Sequence, residues 1–238
     1  MIGPRPNLLR KAALKQMEIS WLGHACFQLR GKNVTLITDP FSPSHDKSGS
    51  YTDLPQGEPR RLGKINASIV TISHDHPGHN YAAGVGGKPY IVRGPGEYEI
   101  SDVLIIGVAS YHDNKRGQER GRNTIYVIHM DDLVICHLGD LGHTLQEEQL
   151  EEVADADILL IPIGGQSTLN VAQAAEVISQ VEPRIIIPMH YVAGAPANPL
   201  DKFYREMGVE VMNTQPKLTV TRNNLPAETQ VVILSQRS

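Results

Sequence analysis

The chain has 238 residues, of which 40% are hydrophobic and 20% are charged, a composition typical of a globular protein with a substantial core. Its formal net charge of -4 at pH 7 gives no electrostatic reason to expect a nucleic-acid or membrane partner. The two cysteines, Cys26 and Cys136, are far apart in sequence and indicate neither a disulfide framework nor a cysteine zinc site. With no apolar stretch long enough for a membrane span, we expect a cytoplasmic protein.

The first part of the chain, to about residue 136, predicts mostly β-strands separated by Gly, Pro, Asn and Asp. The predicted strands cover residues 18–21, 26–29, 34–38, 68–73, 90–92, 103–109, 123–129 and 133–136. Many are β-branched apolar runs too short for helices, which is typical of buried strands.

The second part of the chain alternates predicted helices and strands. Thr144 and Glu147 fit a capping box for a helix that ends near Val153, Asn170 can cap a second helix, and Pro199 can open a third. Further strands are predicted at residues 158–161, 185–187, 218–222 and 230–234. We expect a flexible N-terminal extension over residues 1–16 and a single domain over residues 17–238.

Three histidines, His74, His76 and His79, lie in one six-residue window at the end of the predicted strand 68–73. Imidazoles at this spacing can converge on one or two metal ions. If the alternation of the strand persists, His74 and His76 point the same way and Asp75 points the opposite way. Asp75 is then better suited to support a ligand than to be one.

Other apolar runs also end in histidine or aspartate. Residues 104–109 lead to His112, residues 134–135 lead to His137 and Asp140, and residues 185–187 lead to His190. Strands whose ends meet at one edge of a layered fold would bring these side chains together. The sequence therefore predicts one metal-lined edge.

These residues resemble the signature of the metallo-β-lactamase superfamily, which is His-x-His-x-Asp-His followed by a separate His, Asp and His. The chain is most similar to a branch of metal-dependent hydrolases related to the ascorbate-6-phosphate lactonases. The segments that carry the resemblance are Trp21-Leu22-Gly23-His24, Thr38-Asp39-Pro40, Pro95-Gly96-Glu97-Tyr98, Arg120-Gly121-Arg122-Asn123, His137-Leu138-Gly139-Asp140 and Pro188-Met189-His190-Tyr191. The resemblance implies an α/β (α+β) fold, a four-layer αββα sandwich with the metals at one edge.

The resemblance also implies the ligands. A first metal site would use His74, His76 and His112, a second would use His79 and His190, and Asp140 would bridge the two as the catalytic carboxylate. The implied cofactor is Zn²⁺, as one or two ions, with Mn²⁺ or Fe²⁺ as alternatives.

Gly78 departs from the signature, which has an aspartate at this position. Without that carboxylate, the net charge of a two-ion cluster rises from about +1 to about +2 in a partly buried site. We therefore expect the second ion to bind more weakly than the first. Asp75, Asp46 or Asp53 could supply the missing carboxylate only if their loops fold inward.

Seven residues are candidates for supporting a ligand or contacting the substrate: His24, Asp39, Asp75, His137, His143, Arg122 and Tyr191. Asp39 could accept a proton from a ligand imidazole, although turn initiation before Pro40 also explains it. The basic residues between Lys115 and Arg122 could hold a phosphate or carboxylate, or form a solvated loop.

The predicted function is metal-dependent hydrolysis, in which a metal-bound hydroxide attacks an ester, lactone or phosphodiester of a small anionic substrate. The alternatives are a mononuclear iron oxidoreductase and a degenerate metal-binding member with little turnover. A small-molecule substrate is the expected partner, and relatives suggest a homo-oligomer.

Overall fold

Two β-sheets packed face to face form the body of the protein, in a computed structural model that describes residues 15–42, 65–165, 167–191, 199–210 and 214–237. The strands are β1 (Met17–Gly23), β2 (Cys26–Arg30), β3 (Thr35–Thr38), β4 (Ile65–Asn66), β5 (Ile69–Ile72), β6 (Val85–Gly86), β7 (Tyr90–Arg93), β8 (Gly96–Ile100), β9 (Val103–Tyr111), β10 (Arg122–Met130), β11 (Leu133–His137), β12 (Ile158–Pro162), β13 (Ile185–Met189), β14 (Leu218–Val220) and β15 (Gln230–Val231). The α-helices are α1 (Glu147–Val153), α2 (Val171–Val181) and α3 (Pro199–Glu206).

The order and direction of the strands determine which loops meet. The first sheet has the order β14-β1-β2-β3-β5-β7, and the second has the order β15-β13-β12-β11-β10-β9-β8. In the first sheet β1, β3 and β5 run in one direction, because β2 is antiparallel to β1 and β3 while β5 is parallel to β3. In the second sheet β9, β11 and β13 likewise share a direction. Within each sheet, the loops after these strands therefore start at the same edge.

The core lies between the two sheets. Along the strands of the first sheet, side chains such as Trp21, Phe27 and Leu36 face the second sheet, and their neighbours face outward. Each large side chain of this kind stabilises the fold by about 1.5–3 kcal/mol when it is fully buried. The outward-facing side chains, among them Ile37 and Val70, form a separate small core with the segment that carries β4 and β6.

The helices pack on the second sheet. Helix α1 contacts β9, α2 contacts β12, and α3 contacts α2. The predicted α/β class is confirmed, with one difference in the described part of the chain. There, β4, β6 and a 3₁₀ turn at Ala82–Gly84 cover the outer face of the first sheet where an α-helix is expected.

Helix α2 begins as predicted, because the Asn170 side chain accepts a hydrogen bond from the Gln173 N–H at 3.0 Å. The capping box predicted for Thr144 and Glu147 is wrong. Helix α1 begins only at Glu147, and its first turn is held by Gln149, which accepts from the Gln146 N–H and donates to the Ala109 carbonyl at 2.7 Å. The reciprocal contacts of Gln146 and Gln149 therefore mark the start of α1, and Gln149 also attaches this turn to β9.

Strand β8 was not among the predicted strands. It lies at the edge of the second sheet, and most of its residues are at least partly exposed, so its sequence lacks the apolar run of a buried strand. The predicted extension lies outside the described residues, apart from Lys15 and Gln16, as do Asp46 and Asp53. None of the helices in the described ranges is long and apolar enough to cross a membrane.

Tyr126, on β10, joins the two sheets through its hydroxyl group. The hydroxyl donates to the Ile72 carbonyl at 2.7 Å and accepts from the Gly94 N–H at 3.0 Å. Ile72 is the last residue of β5, directly before the histidine cluster, and Gly94 directly follows the end of β7. Both strands belong to the first sheet. This buried side chain therefore fixes the distance between the sheets close to the predicted site.

We predict that Tyr126→Phe lowers the free energy of unfolding by about 1–3 kcal/mol, because it leaves buried backbone groups without their partner. Chemical denaturation checks this value. Tyr90→Phe is the matched control, since Tyr90 is 68% exposed and should lose almost nothing. Equal effects of the two substitutions would contradict the proposed link between the sheets.

Candidate metal centre

Six predicted metal ligands converge at one edge of the two sheets, and His24 joins them. The loop after β1 carries His24 and the loop after β5 carries His74, His76 and His79, while the loops after β9, β11 and β13 carry the remaining three. Their ligand atoms form three overlapping groups, each within 4.8 Å: His24, His79, Asp140 and His190; His74, His76 and His79; and His74, His112 and Asp140. The common edge arises because these five strands share a direction within their sheets.

Asp140 lies at the centre of the cluster. Its Oδ2 is 3.0 Å from His79 Nε2 and 3.3 Å from His112 Nε2, and its Oδ1 is 3.3 Å from His190 Nε2. Burial alone would raise the pKa of this carboxyl, but His190 and His79 hold it well below its usual range. Asp140 is therefore an anion in a site that is otherwise built from imidazoles.

Asn123 and Gly139 orient Asp140. The Asn123 side chain accepts a hydrogen bond from the Asp140 N–H at 3.0 Å and donates to the Leu138 carbonyl at 2.9 Å. Gly139 has a φ of +57°, and a Cβ atom there would lie only 2.5 Å from Asn123 Oδ1. Sequence reasoning missed Asn123 as a site residue, although an asparagine at the start of a strand that is otherwise largely apolar is a detectable signal.

Asp39 fixes the orientation of His79. Its Oδ2 accepts from His79 Nδ1 at 2.7 Å and from the Ser73 hydroxyl at 2.5 Å, and its Oδ1 accepts from the Ser73 N–H. Ser73 Oγ also lies 3.0 Å from His74 Nδ1. Asp39 is fully buried, so this network fixes two imidazoles with their Nε2 atoms towards Asp140.

The two imidazoles held by this network have opposite pKa shifts. Burial, followed by the neighbouring His79, lowers the pKa of His74 from 6.5 to about 3. Burial alone would also lower the pKa of His79, but Asp140 and Asp39 raise it to about 10. His79 is therefore the imidazole most strongly coupled to the carboxylates of the site.

The backbone turn that carries His24 is held from several sides. His24 has a φ of +54°, a conformation that non-glycine residues rarely adopt. Its carbonyl accepts from Trp21 Nε1 at 2.9 Å and from the His190 N–H at 3.1 Å. Tyr191 stacks on Trp21 with the ring centroids 5.0 Å apart. These contacts place the buried His24 imidazole 4.0 Å, between ring centroids, from that of His190.

Besides Asp39, five of the residues predicted to support a ligand or contact the substrate lie outside the three groups found among the described residues. They are Asp75, His137, His143, Arg122 and Tyr191. Asp75 is exposed and accepts from the Asn80 side chain, as its predicted outward direction implies. His137 is buried with Nε2 2.9 Å from the Ala25 carbonyl, next to His24 in the turn, and Arg122 is exposed at the start of β10.

Asp113 organises the basic loop that follows His112. Its carboxylate accepts hydrogen bonds from the backbone N–H groups of Lys115, Gly117, Glu119 and Arg120. Desolvation alone would raise the pKa of Asp113, but these four donors lower it to about 2. A cavity of about 350 Å³ beside this loop is lined by Tyr111, Arg116 and His143 among others.

The chemistry of the donor atoms fits a metal ion. His74 Nε2, His190 Nε2 and Asp140 Oδ1 are buried, and none of the three has a hydrogen-bond partner among the described residues. A buried polar atom without a partner destabilises a fold, so three that converge on one place indicate a ligand that the fold is built to receive. Neutral imidazole nitrogen and carboxylate oxygen are the donors that zinc and similar divalent ions use.

Comparison with known proteins identifies the family. Residues 18–190 match the sequence profile described as "Beta-lactamase superfamily domain". A metal-dependent hydrolase of Pyrococcus horikoshii is 28% identical over an alignment of 229 residues, and the match covers 84% of this chain and 97% of the relative.

Solved structures share the fold. A proposed Zn-dependent hydrolase of the metallo-β-lactamase superfamily from Thermotoga maritima is 32% identical, with a TM-score of 0.69, and the match covers 92% of this chain and 98% of that protein. A diiron β-hydroxylase from Streptomyces venezuelae has the same fold at 16% identity, with a TM-score of 0.56 over 92% of this chain and 55% of that protein. The chain therefore belongs to the metallo-β-lactamase superfamily, as its histidine and aspartate motifs predict.

Proposed function

We propose that the protein is a metal-dependent hydrolase whose centre is assembled around Asp140, with zinc as its native ion, and whose substrate is a small anionic ester, lactone or phosphodiester. The observation that carries this proposal is the convergence of buried imidazoles on one buried carboxylate, with ligand atoms that make no hydrogen bond in the described residues. A metal ion bound there would lower the pKa of water and stabilise negative charge that develops on the substrate.

The residues of the chain have separate tasks in this proposal. The family resemblance assigns His74, His76 and His112 to one ion and His79 and His190 to a second, with Asp140 contributing to both. In the described residues, the ligand atom of His74 lies in one group with those of His112 and Asp140, and in another with those of His76 and His79. Asp39 favours the His79 tautomer that leaves Nε2 available as a ligand, because its carboxylate accepts a hydrogen bond from Nδ1–H. Asn123 holds the backbone of Asp140, from which the carboxylate extends into the cluster.

The preference for an anionic substrate rests on the loop after His112. Arg116 lines the cavity of about 350 Å³ next to this loop, while Lys115 is already paired with Glu119. The negative charge of Asp113 is satisfied by four backbone N–H groups and competes only weakly for the arginine. A guanidinium on the loop that follows the proposed ligand His112 suits a phosphate or carboxylate group.

Removal of metal with a chelator is expected to abolish hydrolysis, and Zn²⁺ is expected to restore it. A panel of a neutral lactone, an anionic lactone and a phosphodiester tests both the reaction and the preference for negative charge. Activity that survives complete metal removal would contradict the proposal. Bound iron with an oxygen-dependent reaction would instead support the oxidoreductase alternative.

Asp140→Asn is expected to lower kcat/KM by about 100-fold or more, because it removes the carboxylate that His79, His112 and His190 share. Steady-state kinetics on the best substrate of the panel measures this change. Asp155→Asn, the same substitution at an exposed position, is the control and should leave the kinetics unchanged.

Asp39→Asn is expected to weaken metal binding by about 10–100-fold, because the amide cannot hold both His79 and Ser73 as the carboxylate does. Competition with a chromophoric chelator measures the affinity. Ser73→Ala should show a smaller loss, and Asp102→Asn, at an exposed turn, should show none. Unchanged affinity in Asp39→Asn would exclude the role given to the aspartate.

The pKa of His79 predicts how the metal-free protein responds to pH. Because the folded pKa is about 10 and the usual value is 6.5, the proton on His79 stabilises the fold fully below about pH 6.5, and this contribution disappears as the pH rises towards 10. After chelation, the urea concentration at the midpoint of unfolding should decrease as the pH rises from about 6.5 to 10. His79→Gln should remove most of this slope, and an identical slope in the variant would refute the assignment.

A further inference from the structure

Gly78 and His24 share one small space inside the cluster. A Cβ atom built on Gly78 would lie 3.1 Å from His24 Nε2 and 3.2 Å from His76 Nδ1, which is tighter than ordinary contact. The glycine is buried, although its backbone does not require a glycine conformation. The His24 imidazole therefore occupies part of the space that a side chain at position 78 would need.

His24 has the properties of a ligand at this position. Its side chain is almost fully buried, and its Nε2 lies 2.9 Å from His79 Nε2. It belongs to one group with His79, Asp140 and His190. Its backbone is fixed by the hydrogen bonds from Trp21 and His190, and its buried ring packs against those of His79 and His190, so the ring has little freedom to leave the cluster.

We propose that His24 is a metal ligand in this protein and supplies, from the first sheet, the coordination position that a carboxylate at residue 78 would otherwise fill. This inference rests on the proposed metal centre and concerns its second ion. The ligand set becomes three imidazoles and one carboxylate, which is enough for a four-coordinate ion.

The exchange of a carboxylate for an imidazole changes which ion the site prefers. Imidazole nitrogen favours zinc, iron, nickel and copper, whereas carboxylate oxygen favours manganese and magnesium. A neutral ligand also leaves one more positive charge on the cluster than a carboxylate does. The second position is thus selective for zinc over manganese, and Gly78→Asp should shift that preference towards manganese.

Metal content and affinity test the proposal without a measurement of activity. In His24→Asn, the number of zinc ions retained after dialysis should fall by about one per chain, and the affinity of the weaker site should fall by about 10–100-fold or more. Gly78→Asp in the His24→Asn background should restore that ion. Anomalous diffraction at the zinc edge should place the lost ion next to His79 and His190.

Two controls separate a lost ligand from a damaged fold. His129→Asn changes a histidine on β10 outside the cluster and should keep the zinc content of the unchanged protein. Gly78→Ala introduces only a Cβ, which crowds His24, and should weaken the same ion without a large change in melting temperature. Two zinc ions bound with unchanged affinity in His24→Asn would overturn the proposal.

The same measurements distinguish this inference from the proposed hydrolysis. If His24→Asn loses one ion while no ester, lactone or phosphodiester is hydrolysed by the unchanged protein, the ligand assignment stands and the proposed function fails. If hydrolysis is metal-dependent but His24→Asn binds metal normally, the function stands and His24 is not a ligand.

Discussion

The attraction between one buried carboxylate and the imidazoles around it is the interaction on which the site depends. A single anion such as Asp140 is costly to remove from water unless positive or polar groups surround it. Here His79, His112 and His190 each place a ring nitrogen within 3.3 Å of its oxygens. No short segment of chain could supply such a set. The sandwich supplies it, because the strands that lead to these residues share a direction within each sheet.

The site is held by backbone conformations that are unfavourable on their own. His24, Asp39 and His190 all have positive φ values, at 54°, 37° and 59°. Non-glycine residues adopt such conformations where the surrounding structure holds them there. In this protein the surrounding structure includes the ring of Trp21, the Thr71 carbonyl that binds the Asp39 N–H, and the link between the His190 N–H and the His24 carbonyl. Packing and hydrogen bonds thus hold the backbone of these three residues in place.

The sequence predicted the structure best where an apolar run marks a strand and a histidine or aspartate follows its end. The apolar runs predicted the bounds of most strands to within one to three residues. The histidines and the aspartate at strand ends predicted six members of the cluster. The ordered motifs gave the family. What sequence could not provide is contacts between distant segments: Gln149 at the start of α1 binds β9, Asn123 binds the backbone of Asp140, and His24 lies against Gly78, 54 residues away.

The division of the ligands between the two sheets has a mechanical consequence. His24, His74, His76 and His79 follow strands of the first sheet, whereas His112, Asp140 and His190 follow strands of the second. An ion bound to both groups would cross-link the two sheets at the edge where these residues lie. Because such an ion binds only the folded chain, its binding energy adds to the energy that keeps the sheets together. A metal ion at the proposed centre would then also stabilise the packing of the two sheets.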